Sequence, residues 1–143
     1  MKKIITSIII FSFILISCNK ETKKQETSDL STDRIEILEF FGKHRCTSCI
    51  NIEHNTKETL KKHFQKEIDN KQIVYKMIQW DDPKNDYLVN KFEAAGTSLI
   101  IYRVKDGKEF IHDISDFAFK ENENIEAFVE QLNRVIKLQL EKQ

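Results

Sequence analysis

Residues 35–49 read IEILEFFGKHRCTSC, and this stretch decides the fold. Ile35 to Phe41 is a short apolar run carrying two Glu, the composition of a strand. Cys46 to about Ile68 contains neither Gly nor Pro. Within it Ile52, Thr56, Leu60 and Phe64 recur every four residues, which predicts a helix with a thin apolar face. A C-x-x-C therefore stands where a strand hands over to a helix. In a βαβ unit that placement reads as a redox pair.

Working outward, Ile73 to Trp80 (IVYKMIQW) predicts a second strand, rich in β-branched and aromatic residues. Asp82-Pro83 reads as an N-cap followed by proline at the first helical position. On the short helix that follows, Leu88, Phe92 and Ala95 face one way and Gly96 is the expected stop. Leu99 to Val104 predicts a third strand. Asp106-Gly107 is the pair preferred in two-residue hairpin turns, with Lys108 to Ile114 returning. Ile125, Phe128, Val129, Leu132, Val135 and Ile136 form the stripe of a final helix. The order β-α-β-α-β-β-α predicts an α/β fold with a four-stranded mixed sheet and helices on both faces. Strands joined through helices are expected to run parallel, with the hairpin adding one antiparallel edge.

The chemistry follows from the same junction. Helical spacing of three places both sulfurs on one face, near enough to bond. Cys46 falls among the unpaired N–H groups of the helix start, whose partial positive charge favours a thiolate. Lys43, His44 and Arg45 are expected to add cations on the same side. Cys46 is thus the expected nucleophile, and Cys49, one turn in and less exposed, the resolving thiol.

These features resemble the thioredoxin superfamily over most of Ile35 to Leu140. More narrowly, F-F-G-K-H-R-C-T-S-C-I, A-A-G-T-S-L-I-I, D-F-A-F at 116–119 and the lipobox-like end of the N-terminal apolar run are similar to the ArsF-type lipoproteins. That family carries the label nitrophenyl compound nitroreductase subunit. A nitroreductase takes its electrons from a flavin or similar cofactor, and no site for one is legible here. The resemblance therefore implies at most an electron-donating partner, with no cofactor of its own. It also places Gly96-Thr97 where thioredoxins carry a cis-proline beside the cysteines. With Thr at that position the Gly96–Thr97 bond is expected to be trans, because a non-proline cis bond costs about 3–4 kcal/mol. Thr97 would then bring a hydroxyl near the sulfurs. Glu39 corresponds to the buried acid behind the thioredoxin cysteines, in the role of relaying the proton that leaves Cys49; the plainer alternative is a strand-edge carboxylate.

Residues 1–17 read as a leader. Lys2 and Lys3 precede an apolar run from Ile4 to Ile16 that is interrupted only by Thr6, Ser7 and Ser12. Thirteen helical residues span about 20 Å, short of a hydrocarbon core of roughly 30 Å. The run ends at Leu15-Ile16-Ser17-Cys18, which resembles a lipobox, implying cleavage before Cys18 and acylation of its sulfur. Residues 18–33 are dominated by Lys, Glu, Thr and Ser and predict a flexible tether, leaving residues 34–143 as the folded domain. The expectation is a lipid-anchored domain outside the cytoplasm, on the periplasmic side of a bacterial envelope. Its partner would be a protein disulfide or dithiol, including a membrane or reductase protein.

Composition narrows the alternatives. The 143 residues carry 23 basic and 23 acidic side chains, and zero net charge gives no electrostatic case for nucleic acid. Three cysteines are too few for a disulfide scaffold. A static disulfide remains open for the Cys46–Cys49 pair. So does a soft-ion site for copper(I), zinc or trivalent arsenic on Cys46 and Cys49 with His44 as a third ligand. No other metal ligands are expected: His54 and His63 fall on the polar part of the first helix, and His112 is expected to point outward from the hairpin. Trp80 is expected at the core or its rim, and Phe117 and Phe119 under the last helix.

Overall fold

The computed structural model describes residues 34–141. The leader, Cys18 and the tether lie outside the described residues. The central strand is β1 (Ile35–Phe41). Ile35 and Ile37 point to one side of the sheet and Leu38 and Phe40 to the other, all buried. Burial on both faces explains why this strand reads as an almost unbroken apolar run. Of its two acids, Glu36 is held by Arg34 at 2.6 Å and Lys76 at 3.0 Å. Glu39 belongs to the site described below.

The sheet order is β2-β1-β3-β4. β2 (Ile73–Gln79) runs parallel to β1, with Ile35 beside Ile73. β3 (Ser98–Lys105) runs antiparallel to β1, not parallel as its helical connection suggested. Length is the reason. The intervening helix α3 (Asp86–Lys91) has six residues and spans about 9 Å, whereas β3 has eight and spans about 26 Å. The helix itself does not carry the chain back along the sheet, and β3 starts at the end where β2 stops. β4 (Lys108–Asp113) returns through a turn with Asp106 and Gly107 both at positive φ, 52° and 72°, as the Asp-Gly pair required.

α1 (Thr47–His63) stops short of the expected Ile68. Phe64, with φ −134° and only 2% exposure, breaks the helix to bury its ring, and a separate α2 (Gln65–Asp69) follows. The thin apolar face of α1 has a physical counterpart. Its buried residues include Asn55, Thr56 and Thr59. Thr59 donates to the Asn55 carbonyl at 2.7 Å, and Asn55 donates to the Asn122 carbonyl at 2.9 Å. Asn55 and Thr59 are hydrogen-bonded to the fold and so can be buried, while the Thr56 hydroxyl has no hydrogen-bond partner among the described residues.

Asp82 caps a 3-10 turn, Pro83–Asn85, that leads into α3. Gly96 does not stop this helix. The chain leaves it after Lys91, and Glu93 takes the left-handed conformation with φ 53°. Phe92 and Ala94 are both buried against the sheet, and residues two apart cannot share a helix face. The turn at Glu93 satisfies both, leaving Ala95 exposed.

A helix not expected, α4 (Ser115–Glu121), precedes α5 (Ile125–Leu140). Asn124 caps α5 through the Ala127 amide, and Phe128, Leu132 and Ile136 are fully buried, while Ile125 stays 44% exposed. Phe117 stacks on Phe128 at 5.2 Å, and Phe119 points outward. α1, α4 and α5 pack on the Ile35, Ile37 and Ile101 face; α3 covers the Leu38, Phe40 and Ile100 face. Helices on both sides of a four-stranded mixed sheet make this a thioredoxin-like α/β architecture.

Candidate active site

The cysteines stand where β1 gives way to α1. The Gly42–Arg45 turn is held from the β2 side. The Lys43 amide donates to both Asp81 carboxylate oxygens at 3.1 Å, and Gly42 lies beneath Trp80, where an added Cβ would meet Nε1 at 2.9 Å. The Lys43 amide also holds the Asp81 carboxyl below its ordinary range. Trp80, half-buried on the core rim, thus packs directly on the turn that presents Cys46.

Cys46 is the N-cap of α1. Its Sγ accepts from the Cys49 amide at 3.2 Å, filling the place a Ser or Asp side chain commonly takes. Cys46 and Cys49 form a disulfide, with Cα atoms 5.2 Å apart. The two sulfurs are not equivalent: Cys46 is exposed, and Cys49 is 7% exposed. Of the three cations expected beside Cys46, Lys43 and His44 are exposed, while Arg45 turns inward beneath the helix. Its guanidinium lies over the Phe41 ring at 5.3 Å, donates to the Cys49 carbonyl at 3.1 Å and pairs with Glu53. Its charge is therefore spent on carboxylates and not on the Cys46 sulfur.

Behind the cysteines, Glu39 is fully buried on the α1 side of β1. Tyr75 Oη donates to its Oε2 at 2.5 Å, and Arg45 Nη2 lies 3.5 Å from Oε1. Burial pushes the Glu39 carboxyl up to about 7. Burial and the Glu39 carboxylate push the Tyr75 phenol up as well, so Tyr75 stays a donor. On the other flank, Thr97 Oγ1 donates to Cys49 Sγ at 3.4 Å. No cis peptide bond occurs among the described residues, so Gly96–Thr97 is trans, and Gly96 has open space around it.

Tyr75, Glu53 and Asp81 were not singled out from the sequence. Of these, only Glu53 carries a signal in the sequence itself. Arg45, Cys49 and Glu53 are spaced four apart, one helical turn each, and Tyr75 lies diagonal to Glu39 once the β1–β2 register is known. His54, His63 and His112 are exposed and remote from one another. Among the described residues no three His, Cys, Asp or Glu side chains gather as a metal site, and His44 does not join the cysteines in one. No described helix is long and apolar enough to cross a membrane.

No protein-family model matches this sequence, nor does any curated protein. Among solved structures, one described as "Structure of a malarial protein" superposes with a TM-score of 0.39 at 20% identity. The match covers 62% of this chain and 92% of that one, and a likeness of that size carries no argument about function.

Proposed function

We propose that this protein is a thiol-disulfide oxidoreductase, or an electron-transfer protein, that exchanges disulfides with a protein partner outside the cytoplasm. One observation carries the reading: an exposed cysteine at a helix N-cap is bonded to a buried cysteine one turn on. Orphan N–H groups at that helix start stabilise the Cys46 thiolate. In the reduced protein, Cys46 thiolate attacks a partner disulfide, forming a Cys46–partner mixed disulfide and releasing one partner thiolate. Cys49, deprotonated towards Glu39, then attacks Cys46 Sγ and releases the second partner thiolate. Two electrons pass to the partner, and the Cys46–Cys49 disulfide is the oxidised product. No cofactor enters the balance. The lipobox-like Leu15–Cys18 supports tethering to a membrane, and the similarity to the ArsF-type lipoproteins supports electron donation to a partner reductase.

The test is dithiothreitol-driven reduction of insulin by the folded chain. Turnover should vanish in Cys46→Ser, and Cys49→Ser should accumulate the mixed disulfide. Stoichiometric uptake of copper(I), zinc or arsenite by the reduced pair, without turnover, would replace the exchange reading with a soft-ion binder. A pair that never reduces reversibly would leave a static disulfide.

A further inference from the structure

Arg45 and Glu53 lie outside the cysteine pair, yet both bear on the buried acid behind it. Glu39 accepts one hydrogen bond, from Tyr75, and its Oε1 has no hydrogen-bond partner among the described residues. The nearest cation, Arg45 Nη2, is 3.5 Å away from that oxygen and donates instead to the Cys49 carbonyl at 3.1 Å. Nη1 is held by Glu53, whose other oxygen is taken by Lys57. The guanidinium therefore stands between two carboxylates and closes on the outer one.

We propose that Arg45 and Glu53 form a tuning pair for Glu39. Glu53 draws the guanidinium outward, so that the buried carboxyl neighbours a cation with which it does not fully pair, and it remains a proton exchanger instead of a permanent carboxylate. Arg45 is a positioning residue: the same guanidinium ties the Cys49 carbonyl to the floor of the site. The inference rests on the disulfide-exchange reading for the use made of the proton, but its geometry does not.

Electrostatics agree in sign. Burial raises Glu39 most, the Tyr75 hydrogen bond opposes it, Glu53 adds to the rise, and Arg45 and Lys57 oppose it. Partial burial works to raise Glu53, but hydrogen bonds from Lys57 and Arg45 hold it below its ordinary range, so it keeps its charge. The groups facing Glu39 are Tyr75 from β2, Arg45 from the turn, and Glu53 and Lys57 from α1, which also carries Cys49 and is capped by Cys46. β3 places Leu99, which does not titrate, at the paired position.

Two substitutions at this pair should move the same buried proton in opposite directions. The experiment follows the side-chain carboxyl carbon resonance of Glu39 by NMR across pH, in the full folded and oxidised chain. Glu53→Gln should lower the proton affinity of Glu39 about tenfold, one pKa unit. Arg45→Gln should raise it by at least as much, with Arg45→Lys in between. Because Glu53 is partly exposed, Glu53→Gln leaves the core packing intact and decides the matter even if Arg45→Gln unfolds the turn. Shifts of the same sign, or none larger than threefold in Glu53→Gln, overturn the tuning pair. The pH midpoint of Cys49-dependent mixed-disulfide release should follow the titration. A wild-type chain without exchange activity would remove the functional reading while the titration still decides the pairing.

Discussion

Thr97 Oγ1 lies 3.4 Å from Cys49 Sγ and donates to the buried sulfur of the disulfide. On reduction that sulfur becomes a thiol or thiolate with little access to water, and a hydroxyl donor stabilises the charged form. Thr97→Val keeps the shape and removes the donor. A hydrogen bond to a charged group contributes about 1.5 kcal/mol, so the reduction potential of the Cys46–Cys49 couple should fall by about 30 mV. Equilibration with glutathione buffers measures it. An unchanged potential would show that the hydroxyl contributes nothing to the couple.

Gly42 gives a second expectation. Its Cα faces the Trp80 indole, and a methyl group there would meet Nε1 at 2.9 Å, closer than real contacts allow. Gly42→Ala must push the indole or the turn aside, an overpacking cost of about 1–3 kcal/mol. Trp80 is the only tryptophan in the sequence, so its fluorescence reports the displacement directly alongside the urea midpoint.

Asp81 anchors the same turn from the other side, accepting from the Lys43 amide with both oxygens. Asp81→Ala leaves that amide to water. With that hydrogen bond removed, local opening of the turn should become more frequent. Hydrogen exchange at the Lys43 amide should accelerate accordingly, with amides in the middle of β1 unaffected.

Much of this architecture was legible because local chemistry decided it. Asp106-Gly107 permits the paired positive φ angles of the hairpin, and Phe128, Leu132 and Ile136 mark one side of α5 at four-residue intervals. The direction of β3 was not legible, since LIIYRV carries no sign of which way it runs; the shortness of α3 settles it. The end of α3 was misplaced because Gly96 is the residue with free φ, whereas burying Phe92 and Ala94 together required the turn at Glu93. At the site, the cysteines could be found from their spacing at the strand-to-helix junction, and Glu39 only through the resemblance to the thioredoxins. The inward turn of Arg45 could not, because it depends on Glu53 a full two turns later and on Phe41 beneath it. Tyr75 required the β1–β2 register, which no local pattern supplies.

That buried carboxyl also makes stability depend on pH in an unusual direction. Burial raises Glu39 from 4.5 to about 7 in the folded chain, while in the unfolded chain it returns to its ordinary value. Between those two values the folded state holds a proton that the unfolded state has lost. The unfolded state binds fewer protons, so unfolding becomes easier as pH rises through this window. The stabilisation is complete below about pH 4.5 and is lost by about pH 7, a span of about 3 kcal/mol. Glu53, Asp81 and Glu109 are shifted the other way, so their contributions fall away only at acid pH, below this window. Urea midpoints of the oxidised protein should therefore fall from pH 5 to pH 8. Glu39→Gln, which fixes the neutral form beneath Tyr75, should flatten that fall and leave the variant the more stable protein at pH 8. A wild-type midpoint that holds steady or climbs over the same range would mean that Glu39 is already ionised in the fold, fully paired with Arg45.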